Sequence, residues 1–210
     1  MRHFSHFACV DWSGARSERP NGIAVAMIGP DGPPSLLSPQ PRWSRADILA
    51  WLLRLAETRQ DILIGFDLSM SLPFVDQGAY FPEWQHSPAD AKSLWNMVDR
   101  LCSDDPHLSV PSFLNHPEAR RHFRHSRDHV GDLFGSLREV ERYQRETKQA
   151  NSASCFNLVG AAQVGKSSLT GMRLLHQLRG AIPVWPFDPV PDRGPVIIEI
   201  YTTVAALAAG

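Results

Sequence analysis

The chain is poor in cysteine: Cys9, Cys102 and Cys155 lie far apart and never form a C-x-x-C pair. That excludes a zinc ribbon and, the number being odd, a closed disulfide framework, and makes free buried thiols the expected state. Long apolar runs are lacking too, and none approaches the roughly 18 residues needed to span a bilayer, so no membrane partner is expected. The segment from Met1 to Asp11 has neither a long apolar stretch nor a small-residue cleavage site, and a cytoplasmic location is the expectation. Net charge is nearly absent, −1 over the whole chain. A global attraction to nucleic acid is thereby excluded, and only a local patch could provide one. Internal repeats and low-complexity segments are absent.

What is present suits one α/β domain. A length of 210 residues with 43% apolar and 20% charged content is ordinary for a globular chain, large enough for one well-buried core and too short for two comfortable ones. Phe4 to Val10 and Gly22 to Ile28 read as strands joined by a short loop, which favours an antiparallel hairpin. Ser35 to Leu37 is a third short strand. Ser44 is a candidate N-cap, with Asp47 three positions on, for a helix carrying Ile48, Trp51, Leu52 and Leu55 at helical spacing. The continuous run Ile62 to Phe66 reads as a buried parallel strand reached through that helix. From about 69 to 149 recurrent prolines argue for a mostly helical insertion, with helical patches at Ala89 to Leu101 and Gly135 to Lys148. Ser154 to Val159 reads as a short strand, Ser167 to Arg179 as a helix, and Val196 to Tyr201 as the last strand.

Three apolar strands each deliver one carboxylate: Asp11 before a Ser-Gly turn, Asp67 at the end of Ile62–Phe66, and Glu199 within Val196–Tyr201. Mg²⁺ and Mn²⁺ prefer hard oxygen ligands, and such ions activate water and stabilise a leaving oxygen in phosphodiester hydrolysis. The ordinary reading of a lone aspartate at a strand end is a turn former or a cap. Glu199 between Ile198 and Ile200 either faces water or needs a partner.

Val10-Asp-Trp-Ser-Gly14, Ile64-Gly-Phe-Asp67, Phe156 to Met172 with Leu174 to Arg179, and Ile198-Glu-Ile-Tyr201 together resemble the predicted nucleases of ribonuclease-H-like fold grouped as a domain of unknown function. The likeness covers nearly the whole chain through short motifs. It implies a ribonuclease-H-like mixed sheet, an antiparallel hairpin plus parallel strands, with helices on both faces and a helical insertion. It also implies metal-binding, catalytic acids at Asp11, Asp67 and Glu199 that hold Mg²⁺ or Mn²⁺, a nucleic-acid substrate, DNA or RNA, and Ser13 as a substrate contact. The chain departs from that pattern in having Tyr201-Thr202-Thr203 where Tyr-Pro-Arg is expected. It also reaches Gly210 before the family's C-terminal helices and their further aspartate, which leaves a catalytically impaired binding domain of the same fold as an alternative.

Two other features compete or contribute. Gly160-Ala-Ala-Gln-Val-Gly-Lys-Ser167 matches the G-x-x-x-x-G-K-[ST] pattern, in which Gly160, Gly165, Lys166 and Ser167 would cradle the phosphates of ATP or GTP between a strand and a helix. Too little chain follows for an ordinary parallel NTPase sheet, and in the nuclease reading Lys166 is simply a phosphate contact. Arg120, Arg121 and Arg124, with Arg127 close by, form a basic patch for a nucleic-acid backbone, and Phe123 is placed to stack on a base. His122, His125 and His129 allow a zinc reading at i, i+3, i+7 without a second ligand pair. The competing view of this stretch is a solvated loop partly neutralised by Glu118 and Asp128.

Overall fold

The computed structural model describes residues 2–39, 41–160 and 163–202. A five-stranded sheet runs in the order β3-β2-β1-β4-β5. β1 (His6–Asp11), β2 (Ala24–Ile28) and β3 (Ser35–Leu37) form an antiparallel meander. β4 (Ile62–Asp67) lies parallel to β1, and β5 (Val196–Glu199) parallel to β4. The three acid-bearing strands are therefore adjacent and point the same way.

Between β3 and β4 the chain forms α1 (Arg45–Glu57). Its start follows the sequence signal, because Ser44 Oγ accepts from the Asp47 amide at 3.0 Å and Asp47 accepts from the Ser44 amide at 2.9 Å. These reciprocal bonds satisfy amides that a helix N-terminus leaves orphaned. The proline-rich stretch carries α2 (Ala91–Leu101), a 3-10 turn, the short α3 (Pro111–Asn115) and α4 (Pro117–Arg120), and α5 (Glu139–Glu146). α6 (Val164–Gln177) packs along α2. Leucines and aromatics of α1, α2 and α6 join Ala8, Val10, Val25, Ile62, Ile64, Phe66 and Ile197 of the sheet in one hydrophobic cluster.

Two expectations are corrected here. Ser154 to Val159 is no strand of the sheet: it makes only an isolated bridge, Arg124 with Asn157, and Phe156 is sunk among Phe123 and its neighbours. Apolar residues at those positions serve a loop that dives into the core. Among the described residues, moreover, helices cover one sheet face rather than both. On the other face Phe7 is 48% and Leu36 69% exposed, and Phe7, Cys9, Ala26, Gly65, Ile198 and Ile200 border an open apolar depression of about 300 Å³. No helix among the described residues is long and apolar enough to cross a membrane.

Candidate functional site

Parallel pairing sets the geometry of the acids. Asp11 and Asp67 are register partners, so their Cα atoms lie about 4.8 Å apart across the ladder and both side chains leave the same sheet face. Neither takes part in an ion pair among the described residues; Asp67 accepts from Thr202 Oγ1 at 3.0 Å. Burial pushes the Asp67 carboxyl above the usual carboxylate range against the Thr202 hydrogen bond, and the negative charges of Asp11 and Glu199 push it further. Cys9, two residues before Asp11 on that face, is also raised, by burial and then by Asp67 and Asp11. Among the described residues no ion pair neutralises the negative charge of this pair on the sheet rim.

Glu199 is paired with Phe66, not with Asp67, and period-two alternation turns it to the opposite face. There Arg138, whose side chain is 14% exposed, grips both of its carboxylate oxygens, with Nη1 to Oε2 at 2.8 Å. The Met70 amide donates to Oε2 at 2.9 Å. The same guanidinium donates to buried Glu141 through Nε at 2.9 Å and to Ser69 Oγ at 3.1 Å. Flanking carboxylates hold Arg138 well above the ordinary guanidinium range in spite of its burial. Removing one member of such a buried network leaves an unpaired charge, which typically costs about 3–5 kcal/mol. Asp67, Ser69, Arg138, Glu199 and Ser167 line a cavity of about 290 Å³ at the C-terminal ends of β4 and β5.

The three-carboxylate set expected from the sequence is thus split between faces. Among the described residues no group of three or more His, Cys, Asp or Glu is placed to hold a metal ion. Asp11 and Asp67 alone still fit a hydrated Mg²⁺ or Mn²⁺, since such ions commonly take one or two carboxylates and complete their shell with water and substrate oxygens. The uncompensated charge on the pair is the observation that favours a cation there.

Beyond Asp11 the chain is held by contacts to two helices. Trp12 Nε1 donates to Thr170 Oγ1 at 3.0 Å. Arg45, 1% exposed, donates to the Ser13 carbonyl from Nε at 3.2 Å and Nη2 at 2.6 Å. A Cβ on Gly14 would fall 2.4 Å from the Ser167 amide nitrogen and 2.6 Å from Lys166 Cβ, so only glycine lets this turn rest against the first turn of α6. Ser13 and Lys166 thereby line one cavity.

The Walker-like segment is built differently from a nucleotide cradle. Gly160 has φ +85°, Ala161 and Ala162 lie outside the described residues, and among the described residues between α5 and α6 there is no sheet strand. Gly165 donates its amide to the Asn157 carbonyl at 3.1 Å and is packed against the Cys155 carbonyl, while the Ser167 hydroxyl donates to Val164 O at 2.8 Å.

The basic patch is divided as well. Arg121 is tied to Glu83, to Glu118 at 3.5 Å and to Asp132 at 3.3 Å. Arg124 lies over the Phe134 ring at 5.0 Å, whereas Arg120 is exposed and enters no ion pair among the described residues. Phe123 is fully buried against Phe113 and Phe156; the expected base-stacking role is withdrawn, because a ring with no exposed face cannot receive a base. His122 is sealed in beside Phe81, away from any zinc cluster. Arg138, Ser69 and Arg16 escaped the sequence reading. The only sign of Arg138 was its position three residues before Glu141 at the start of a polar helix.

The chain matches no family model, no curated protein and no solved structure. Its functional reading rests on its own residues.

Proposed function

We propose that this protein is a metal-dependent hydrolase of nucleic-acid phosphodiesters, with Asp11 and Asp67 as the ligands of one Mg²⁺ or Mn²⁺ ion. The observation that carries the reading is the register-paired, uncompensated carboxylate pair on the sheet rim. A three-stranded meander continued by two parallel strands supports a ribonuclease-H-like reading of the sheet. When bound, the ion supplies Lewis-acid charge at a phosphoryl oxygen and acidifies a water. Thr202 orients Asp67 through its hydroxyl. Arg138 neutralises Glu199 and keeps the neighbouring cavity from adding a second unpaired carboxylate. Ser13, beside the acids, offers a hydroxyl to a substrate phosphate. No protein nucleophile is required.

Incubation of a labelled oligonucleotide with Mn²⁺ or Mg²⁺ tests this. Cleavage by the wild type is expected to fall by at least about 100-fold in Asp11→Asn and Asp67→Asn, beyond the roughly 10- to 100-fold typical of residues that merely support a ligand. Undiminished cleavage in both variants, or none by the wild type with either ion, rejects the proposal.

A further inference from the structure

Two cavities meet at the turn that follows β1. One, of about 350 Å³, is lined by Trp12, Ser13, Gly14, Arg16, Lys166 and Ser167. The second, of about 200 Å³, shares Gly14, Arg16 and Lys166 with it and runs on to Asn115 and His125. Together they make a continuous groove whose lining begins at Trp12, the residue after Asp11, about 3.8 Å along the chain.

The cations along this groove are unspent. Arg16 and Lys166, which line both cavities, enter no ion pair or side-chain hydrogen bond among the described residues, in contrast to Arg121, which has three acidic partners. His125 Nε2 is buried without a hydrogen-bond partner. His125 is lowered to about 4, by burial first and then by the positive charges of Arg120, His129 and Lys166, against a backbone hydrogen bond at Arg120 that raises it. No carboxylate enters among the largest influences on it. With Arg16 and Lys166 on its walls and no acidic partner on either among the described residues, the groove is electropositive and complements a polyanion.

Recognition of bases is not provided for. Trp12 is 5% exposed and donates its ring N–H inward to Thr170, and Phe123 is in the core. A strand lying here would meet charge and hydroxyl groups but no exposed aromatic platform.

We propose that the Arg16–Lys166 groove, which opens just past Asp11 in the chain, binds the phosphodiester backbone of a nucleic-acid strand independently of base sequence. The identity of the anion rests on the hydrolase reading; the groove itself does not. Lys166 and Arg16 each neutralise one phosphate at the mouth beside Ser13. Two such contacts on a single strand correspond to a salt slope, log K against log salt, of about −1.4, each contact giving about 0.7.

The test is fluorescence anisotropy of a labelled single strand of about 12 nucleotides and of its complement, in EDTA, between about 50 and 200 mM salt. The two strands are expected to bind within about two-fold of each other. Lys166→Gln and Arg16→Gln are each expected to reduce the slope by about 0.7, Lys166→Arg to restore it, and Arg121→Gln to leave it unchanged. Slopes unaltered in Lys166→Gln and Arg16→Gln, with unchanged circular dichroism, overturn the groove; so does an equal loss in Arg121→Gln. Because metal is absent, the two proposals fail separately. Mn²⁺-dependent cleavage with no slope change removes the groove alone, and slope changes as expected without cleavage remove the hydrolase reading alone.

Discussion

Asp67 is held in a place that disfavours its charge. Its carboxyl titrates above the ordinary carboxylate value because it is half-buried and feels the negative charges of Asp11 and Glu199. A raised folded value means that its stabilising contribution is complete below the unfolded value, about 3.9, and is lost as pH rises through the folded one. At neutral pH the ionised side chain therefore works against folding. Asp67→Asn is expected to raise the melting temperature of the metal-free protein near pH 7 by a few degrees, where about 2–4 °C corresponds to 1 kcal/mol in a chain of this size, and to give no gain below about pH 3.5. A destabilised Asp67→Asn at pH 7 would show that the carboxylate is satisfied without a cation. The residue-scale contrast with Glu199 is physical. Both are acids at strand ends, but Glu199 has a guanidinium on both oxygens and Asp67 has one hydroxyl.

Among the elements, α6 and the turn after β1 act together. α6 supplies Lys166 and Ser167 to the groove, and Gly14 lets the turn come into contact with its first residues. Gly14→Ala places a methyl group against backbone atoms that have no room to give, so the turn and the helix must separate. Overpacking of this kind costs about 1–3 kcal/mol. Chemical denaturation of Gly14→Ala is expected to show that loss together with a weaker oligonucleotide affinity, because Lys166 and Ser13 no longer share one cavity. A variant as stable as the wild type would mean that the contact is slack. Most element boundaries were legible in the sequence because local signals carried them. Ser44 with Asp47 announced α1, and continuous Ile62–Phe66 announced a covered parallel strand. The segment 154–159 was misread because a buried loop and a short strand look alike in apolar content, and pairing is a long-range property.

For the molecule as a whole, the sequence showed which acids end strands but not which faces they leave. Asp11 and Asp67 fall on one side because β1 and β4 pair in register. Glu199 falls on the other because β5 pairs one residue earlier, and a one-residue offset reverses every side chain. That offset separates the three-acid set suggested by the sequence into a cation-seeking pair and an arginine-bound glutamate. The basic patch was likewise visible as composition, while its partition into spent Arg121 and unspent Arg120 depends on Glu83 and Asp132, distant or unordered in the sequence pattern. Lys166 stood out for a motif with no strand just before its helix among the described residues, yet it lies against the turn after β1 because Gly14 leaves room for it.

The most direct measurement is calorimetric titration of the metal-free protein with Mn²⁺ near pH 7.5, in the wild type, Asp11→Asn, Asp67→Asn and Glu199→Gln. One site is expected in the wild type and in Glu199→Gln, with its heat abolished in both aspartate variants. Heat that survives in Asp11→Asn and Asp67→Asn, or that disappears only in Glu199→Gln, would contradict the assignment of the cation to the paired aspartates.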